Sequence, residues 1–180
     1  AGCQRYADEA GWDCSITPTT PNLLRMENGK PSFDGILARA TPALASTAKR
    51  MKVPLVNLWL NSPTQNLPGV FGDFVSSGTM AAEHLIGRGF KRFGYLGFLR
   101  DKDAGLQLTG FRNRLKGEGL RCIAHRFSRE SVTDKARGWK TFIDDLGKWA
   151  DSWEPPIGIF VVNDLFCRYL IDVCRAKDLH

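Results

Sequence analysis

Residues 83–98 read EHLIGRGFKRFGYLGF, and their order decides the fold. A helical pattern stops at Gly89, a residue type that ends helices because it takes the left-handed backbone without a Cβ penalty. Lys91 and Arg92 follow, and the apolar stretch FGYLGF starts at once. A short polar joint between a helix and a strand is one half of an alternating α/β unit. The strand ends at Gly97 and Phe98, just ahead of the charged run Arg100, Asp101, Lys102, Asp103. Its carboxyl end is therefore a place where polar side chains can meet a ligand.

Outward from this joint the same alternation runs in both directions. Upstream, DGILARA (34–40) and VPLVNLWL (53–60) read as buried strands around a helix that Thr41 caps and Pro42 starts. The stretch NSPTQNLPG (61–69) is a loop, VFGDF (70–74) is short and strand-like, and Ser76 or Ser77 is the expected cap of the helix running to Arg88. Downstream, strands are expected at 92–98, 121–127 and 157–163, with helices at about 104–116, 134–149 and 165–177. Ala136, Trp139, Phe142, Ile143, Leu146 and Trp149 recur at helical spacing behind Thr133, a candidate N-cap. At the start, WDCSIT (12–17) suggests a short strand. Residues before it look like the tail of a helix with Cys3, Tyr6, Ala7 and Ala10 on one face and Gly11 as its stop. Strands as continuously apolar as IGIFVV are those of a parallel sheet covered by helices on both faces. The fold class is α/β, doubly wound.

Composition narrows the function. The chain has 180 residues, 43% hydrophobic and 24% charged, which suits a globular domain or two small lobes. No apolar run is long enough for a transmembrane helix. The net charge is +6, with a balance of +1 through residue 89 and +5 beyond it, but the basic residues are scattered among acidic ones. No helix-turn-helix or zinc-finger spacing accompanies them, so a nucleic-acid surface is not indicated. Five cysteines, at 3, 14, 122, 167 and 174, form no CxxC pair and suggest a reducing compartment. Phosphate-loop, nucleophile-elbow and HExxH motifs are absent, which points away from an enzyme and from a metal or other cofactor.

In open parallel sheets, ligands bind beyond the carboxyl ends of the strands. This sequence places Trp59, Asn61 and Ser62 there, with Asp73, Phe98, Arg100, Asp101, Phe127, Ser128, Asn163 and Asp164. Aromatic faces with carboxylates, amides and a guanidinium suit a polyhydroxylated ligand. Each residue also has a plainer role open to it. Asp73 or Asp164 can favour a helix N-terminus, Asn163 can cap its own helix, Trp59 can be core, and Arg100 can pair with Asp103.

The stretch PLVNLWL…GVFGDFVSSGTMAAEHLIGRGFKRFGYLGF, with TGFRNRLKGEG and GIFVVNDLFCRYLIDVCRAKDL, resembles the effector-binding domain of LacI/GalR-type transcriptional regulators. VVNDLFCRYLIDVCR, with DGILARA upstream, looks closest to xylose operon regulators of the AraC-linked kind. The resemblance runs from about residue 34 to residue 180. It implies a two-lobed periplasmic-binding-protein-like fold, each lobe a doubly wound parallel sheet, with residues 1–89 in the first lobe and 90–180 in the second. It also implies a chain truncated at both ends, and a small carbohydrate effector, such as the pentose xylose, held between the lobes. DNA would be reached only through an output domain not present here. A cytoplasmic location and a homodimer when complete belong to the same picture. By position, Asp73 matches the family's carboxylate before the HLI helix, Asn163 and Asp164 match its ND pair, and Phe127 lies near an aromatic position. Gln107 stands where the family places an arginine. With Trp59 and Arg100 taken from the sheet-edge reading, the expected ligand-binding set is Trp59, Asp73, Arg100, Gln107, Phe127, Asn163 and Asp164. A periplasmic solute-binding protein and an α/β enzyme for a small polar substrate are the alternatives.

Overall fold

The computed structural model describes residues 2–16, 26–27, 30–129 and 135–179. These fall into two compact units, residues 1–71 and 72–180. Each follows the strand–helix alternation read from the sequence.

The first unit opens with α1 (Gly2–Ala10), which ends at Gly11, φ 69°. Ala7 is its buried residue, whereas Cys3 and Tyr6 are exposed, so the expected apolar face reduces to one small contact. No strand forms over residues 12–16. A minimal antiparallel pair follows, β1 (Met26–Glu27) and β2 (Lys30–Pro31). The unit's sheet is β3 (Ile36–Ala38) parallel to β4 (Leu55–Asn57). Between them runs α2 (Pro42–Met51), capped by Thr41, whose hydroxyl accepts from the Leu44 N–H as expected. Ala40, Leu44, Ala48 and Leu55 make the small core. The strand-like reading of residues 70–74 does not hold. Gly69 makes only an isolated bridge to Asn57, and the following residues lead straight into a helix.

The second unit is larger. Its sheet has the order β6–β5–β7, all parallel, from β5 (Phe93–Phe98), β6 (Cys122–Phe127) and β7 (Gly158–Val161). The helices are α3 (Phe74–Gly87), α4 (Lys102–Gly117), α5 (Lys135–Asp151) and α6 (Asp164–Ala176). Thr133, the candidate cap of α5, lies outside the described residues. β5 is buried at all six positions, which explains its continuous apolar sequence. Phe93 and Tyr95 pack with Leu108, Phe111 and Leu115 of α4 and Ala82 of α3. Leu96 and Phe98 alternate to the opposite face, with Phe142 and Leu146 of α5 and Phe166 and Leu170 of α6. Helices thus cover both faces of one parallel sheet.

Two glycines explain why α3 belongs with this unit. A Cβ on Gly78 would lie 2.0 Å from the Gln107 carbonyl oxygen, and one on Gly110 would lie 2.0 Å from that of Val75. The backbones of α3 and α4 therefore touch at a distance only glycine permits. The contact division falls between Phe71 and Gly72, whereas the sequence reading draws its lobe boundary after Gly89; the α3–α4 seam is the difference between them. β3 and β4 form one sheet and β5, β6 and β7 another.

Candidate functional site

From the central strand β5 the chain passes outward to β6 and then returns to β7 on the other side of β5. At such a reversal the connections leave in opposite directions and open a crevice at the carboxyl ends of the strands. A cleft of about 190 Å³ lies there. Phe98 ends β5, Val162 and Asn163 follow β7, and Arg129 follows β6. α4 supplies Asp103 and Gln107, preceded by Asp101, and α3 supplies Phe74.

Local hydrogen bonds fix these groups. Asp101 is the N-cap of α4: its buried side chain accepts from the Ala104 N–H at 3.0 Å through Oδ1. Its other oxygen, Oδ2, accepts from Arg129 Nη2. The Arg129 guanidinium lies 4.1 Å from the centroid of the Phe98 ring, a cation–π geometry. The Tyr95 hydroxyl donates to the Ala104 carbonyl at 2.7 Å, which ties the strand to the first turn of α4; burial pushes its pKa above the ordinary phenol range. Asn163 is the N-cap of α6, its Oδ1 accepting from the Phe166 N–H at 3.0 Å. Gln107 Oε1 is buried at the cleft and has no hydrogen-bond partner among the described residues. A buried acceptor left open in this way costs free energy unless water or a ligand supplies the donor.

Of the seven residues expected to bind, Gln107 and Asn163 line the cleft together. Asp164 is exposed next to Asn163 and accepts from the Leu165 N–H. Arg100 is exposed on the turn after β5, with φ 54°, and is not among the lining residues. Phe127 is 6% exposed, its ring centroid 4.8 Å from each of those of Phe98, Phe142 and Phe166, so its faces serve the core. Asp73, not Ser76 or Ser77, caps α3. Its carboxylate accepts from the Ser76 N–H at 2.9 Å and the Ser76 hydroxyl at 2.7 Å, and these bonds hold its pKa below the ordinary carboxylate value. The cap moved because a carboxylate three residues ahead of a free N–H outcompetes a serine already inside the first turn.

Trp59 lies in the first unit, after β4. The Arg39 guanidinium sits 4.9 Å from its ring centroid. Buried Asn57 organises this strand end: its Oδ1 accepts from the Ala40 and Trp59 N–H groups and its Nδ2 donates to the Trp59 carbonyl. Ser62 donates to the Ala40 carbonyl at 2.6 Å. Trp59 Nε1 and Thr64 Oγ1 are buried here without a partner among the described residues, a donor and a hydroxyl at the carboxyl edge of this unit's own sheet.

Sequence reading missed Arg129, Asp103, Phe74 and Thr64. Two signals were available. Arg129 stands two residues past the end of β6, and Asp103 precedes Gln107 by four, which puts both on one face of α4. Among the described residues no group of three metal-ligating side chains gathers, and no helix is long and apolar enough to cross a membrane.

The family model of the periplasmic binding protein-like domain matches residues 82–180. This chain belongs to that family. No curated protein matches it. Among solved structures, a xylose-binding transcription activator, xylR, is 20% identical with a TM-score of 0.74, over 98% of this chain and 46% of that one. A LacI family transcriptional regulator from Enterococcus faecium with bound ribose is 16% identical, TM-score 0.62, over 82% and 54%. A periplasmic binding protein/LacI transcriptional regulator from Alkaliphilus metalliredigens, complexed with D-xylulofuranose, is 17% identical, TM-score 0.54, over 82% and 52%. The chain spans about half the length of these structures, and the likeness is one of fold.

Proposed function

From that membership we propose that this chain is the sugar-sensing, effector-binding part of a transcriptional regulator. The observation that carries the reading is the cleft at the reversal of β6–β5–β7. It brings together aromatic rings, carboxylates, an amide acceptor and one guanidinium, the mix of apolar faces and a few placed polar groups that orients a small ligand. A pyranose or furanose offers the complement: hydroxyls for the polar groups and C–H faces for Phe98 and Phe74. The sugars bound by the relatives, xylose, ribose and D-xylulofuranose, make a pentose the first candidate.

The finer parts of the reading rest on the resemblance. They are xylose as the effector, closure around it by hinge motion between lobes, a dimer in the complete protein, a cytoplasmic location, and output through a DNA-binding domain outside these residues. All five cysteines are free thiols, which favours a reducing compartment over the oxidising one of a periplasmic transport protein.

Calorimetric titration of the full chain with a panel of pentoses and hexoses tests the proposal. Saturable binding of one or a few sugars is the expected result, and absence of binding across the panel overturns it. A gel-shift experiment with the 180 residues alone is expected to give no discrete, competitor-resistant complex with promoter DNA.

A further inference from the structure

Asp101, Arg129 and Asn163 use polar atoms at the cleft of the second unit to hold the fold together. Asp101 accepts from the Ala104 N–H and from Arg129, and Asn163 accepts from the Phe166 N–H. Gln107 lines the same cleft without such a task. Its Oε1 is buried with no hydrogen-bond partner among the described residues. An amide oxygen in that condition has lost its water and gained no donor in exchange.

The helix does not require a polar side chain at this position. Gln107 lies in the interior of α4, where backbone groups bond within the helix and no cap is needed. Methionine has nearly the same length and helix propensity, and its thioether is too weak an acceptor to be costly when left unpaired. As a structural residue glutamine is therefore the poorer choice, and the empty protein is less stable for holding it.

A sugar reverses that balance. The Gln107 carbonyl packs against Gly78 at the α3–α4 seam, so the backbone carrying the amide is held in place beside the cleft. The last torsion of a glutamine side chain is broad, so the oxygen can turn to a hydroxyl entering the cleft while the stem stays where it is. That hydroxyl donates, and the buried acceptor is satisfied. An analogue without it fills the cleft and leaves the oxygen dry. Sites built on such a bond reject the analogue lacking the hydroxyl far more strongly than an apolar pocket rejects a missing methylene.

Resting on the sugar-binding reading above, we infer that Gln107 is the specificity-determining acceptor of this cleft. It reads one hydroxyl of the sugar as a donor and discriminates against analogues in which that hydroxyl is missing. The lower stability of the empty protein is the counterpart of that discrimination.

The chain is titrated with D-xylose, D-ribose and the rest of the pentose and hexose panel, then with the monodeoxy analogues of the tightest binder. The series is repeated on Gln107→Met. In the wild type, removal of one particular hydroxyl is expected to weaken binding about ten-fold or more. In Gln107→Met the parent sugar is expected to bind about ten-fold more weakly, and removal of the same hydroxyl to cost less than about three-fold, since the two deletions remove one bond. The Tm of this variant is expected to be unchanged or higher. Three results overturn the inference and leave the sugar-sensing reading standing. They are a deoxy series in which no position stands out, because water then serves the oxygen; a penalty for the lost hydroxyl that is equal in both proteins; and a lower Tm for Gln107→Met, which makes the amide a structural group. Absence of binding by every sugar of the panel removes the reading and the inference together.

Discussion

β4 of the first unit and β5 of the second are both apolar parallel strands, yet they hold very different places in the molecule. β4 pairs with one neighbour over three residues, and its core is Leu55 with Leu44 and two alanines. β5 pairs on both sides and is buried at all six positions between two clusters rich in aromatic side chains. Burial of apolar area is the main term that offsets chain entropy, and a core of small side chains supplies little of it. The comparison teaches that one strand–helix alternation can give either a thin layer or a doubly covered sheet. Side-chain volume at the buried positions makes the difference.

On this contrast, core truncation is expected to hurt the second unit more. Phe111, fully buried against Phe93, Tyr95 and Phe160, is expected to lose about 4 kcal/mol on change to Ala, and Leu44→Ala about 2 kcal/mol. Denaturant titration of each variant checks this, and equal losses would break the comparison.

The seam between α3 and α4 gives the next effect. Gly110→Ala or Gly78→Ala puts a methyl against a backbone carbonyl, which cannot turn aside as a side chain can. A loss of about 3 kcal/mol is expected, towards the upper end for overpacking. Gly105→Ala, on the same helix with open space at its Cβ position, is expected to be neutral or slightly stabilising. The same titration distinguishes the two.

A smaller effect is expected at Asn163. Asn163→Ala removes the N-cap of α6 and should cost about 1 kcal/mol of stability. If the residue also touches the ligand, sugar affinity falls as well; Asn163→Asp, which preserves the cap, then separates the two roles in paired melting and calorimetric experiments.

Thiol chemistry sharpens the contrast without altering stability. Burial pushes the Cys122 pKa up to about 11 and raises that of Cys174, while Cys3 on α1 is exposed. The thiolate is the reactive form. At pH 8 an alkylating reagent should therefore modify Cys3 first and Cys122 slowly, with the Cys122 rate still climbing as the pH rises toward 11. Mass spectrometry of timed samples measures the order.

The sequence by itself determined the alternation, the fold class and most element positions. The period of apolar residues and the chemistry of caps and glycine stops are local, so β5, α2 with its Thr41 cap, and Asn163 at the start of α6 could all be read directly. The edge where a cleft would open was legible too, because parallel topology obliges carboxyl strand ends to lie together, and Gln107 and Asn163 line a cleft there. What only the tertiary structure decided was how side chains at that edge divide their work. Phe127 turns its ring into the core, Asp73 spends its carboxylate on its own helix, and Arg129 is drawn onto Phe98 and Asp101. The α3–α4 seam also lay beyond sequence reading, since Gly78 and Gly110 are 32 positions apart and look like ordinary helix glycines. Their meaning is a contact between backbones, and that is set by how two helices pack rather than by the pattern of either one.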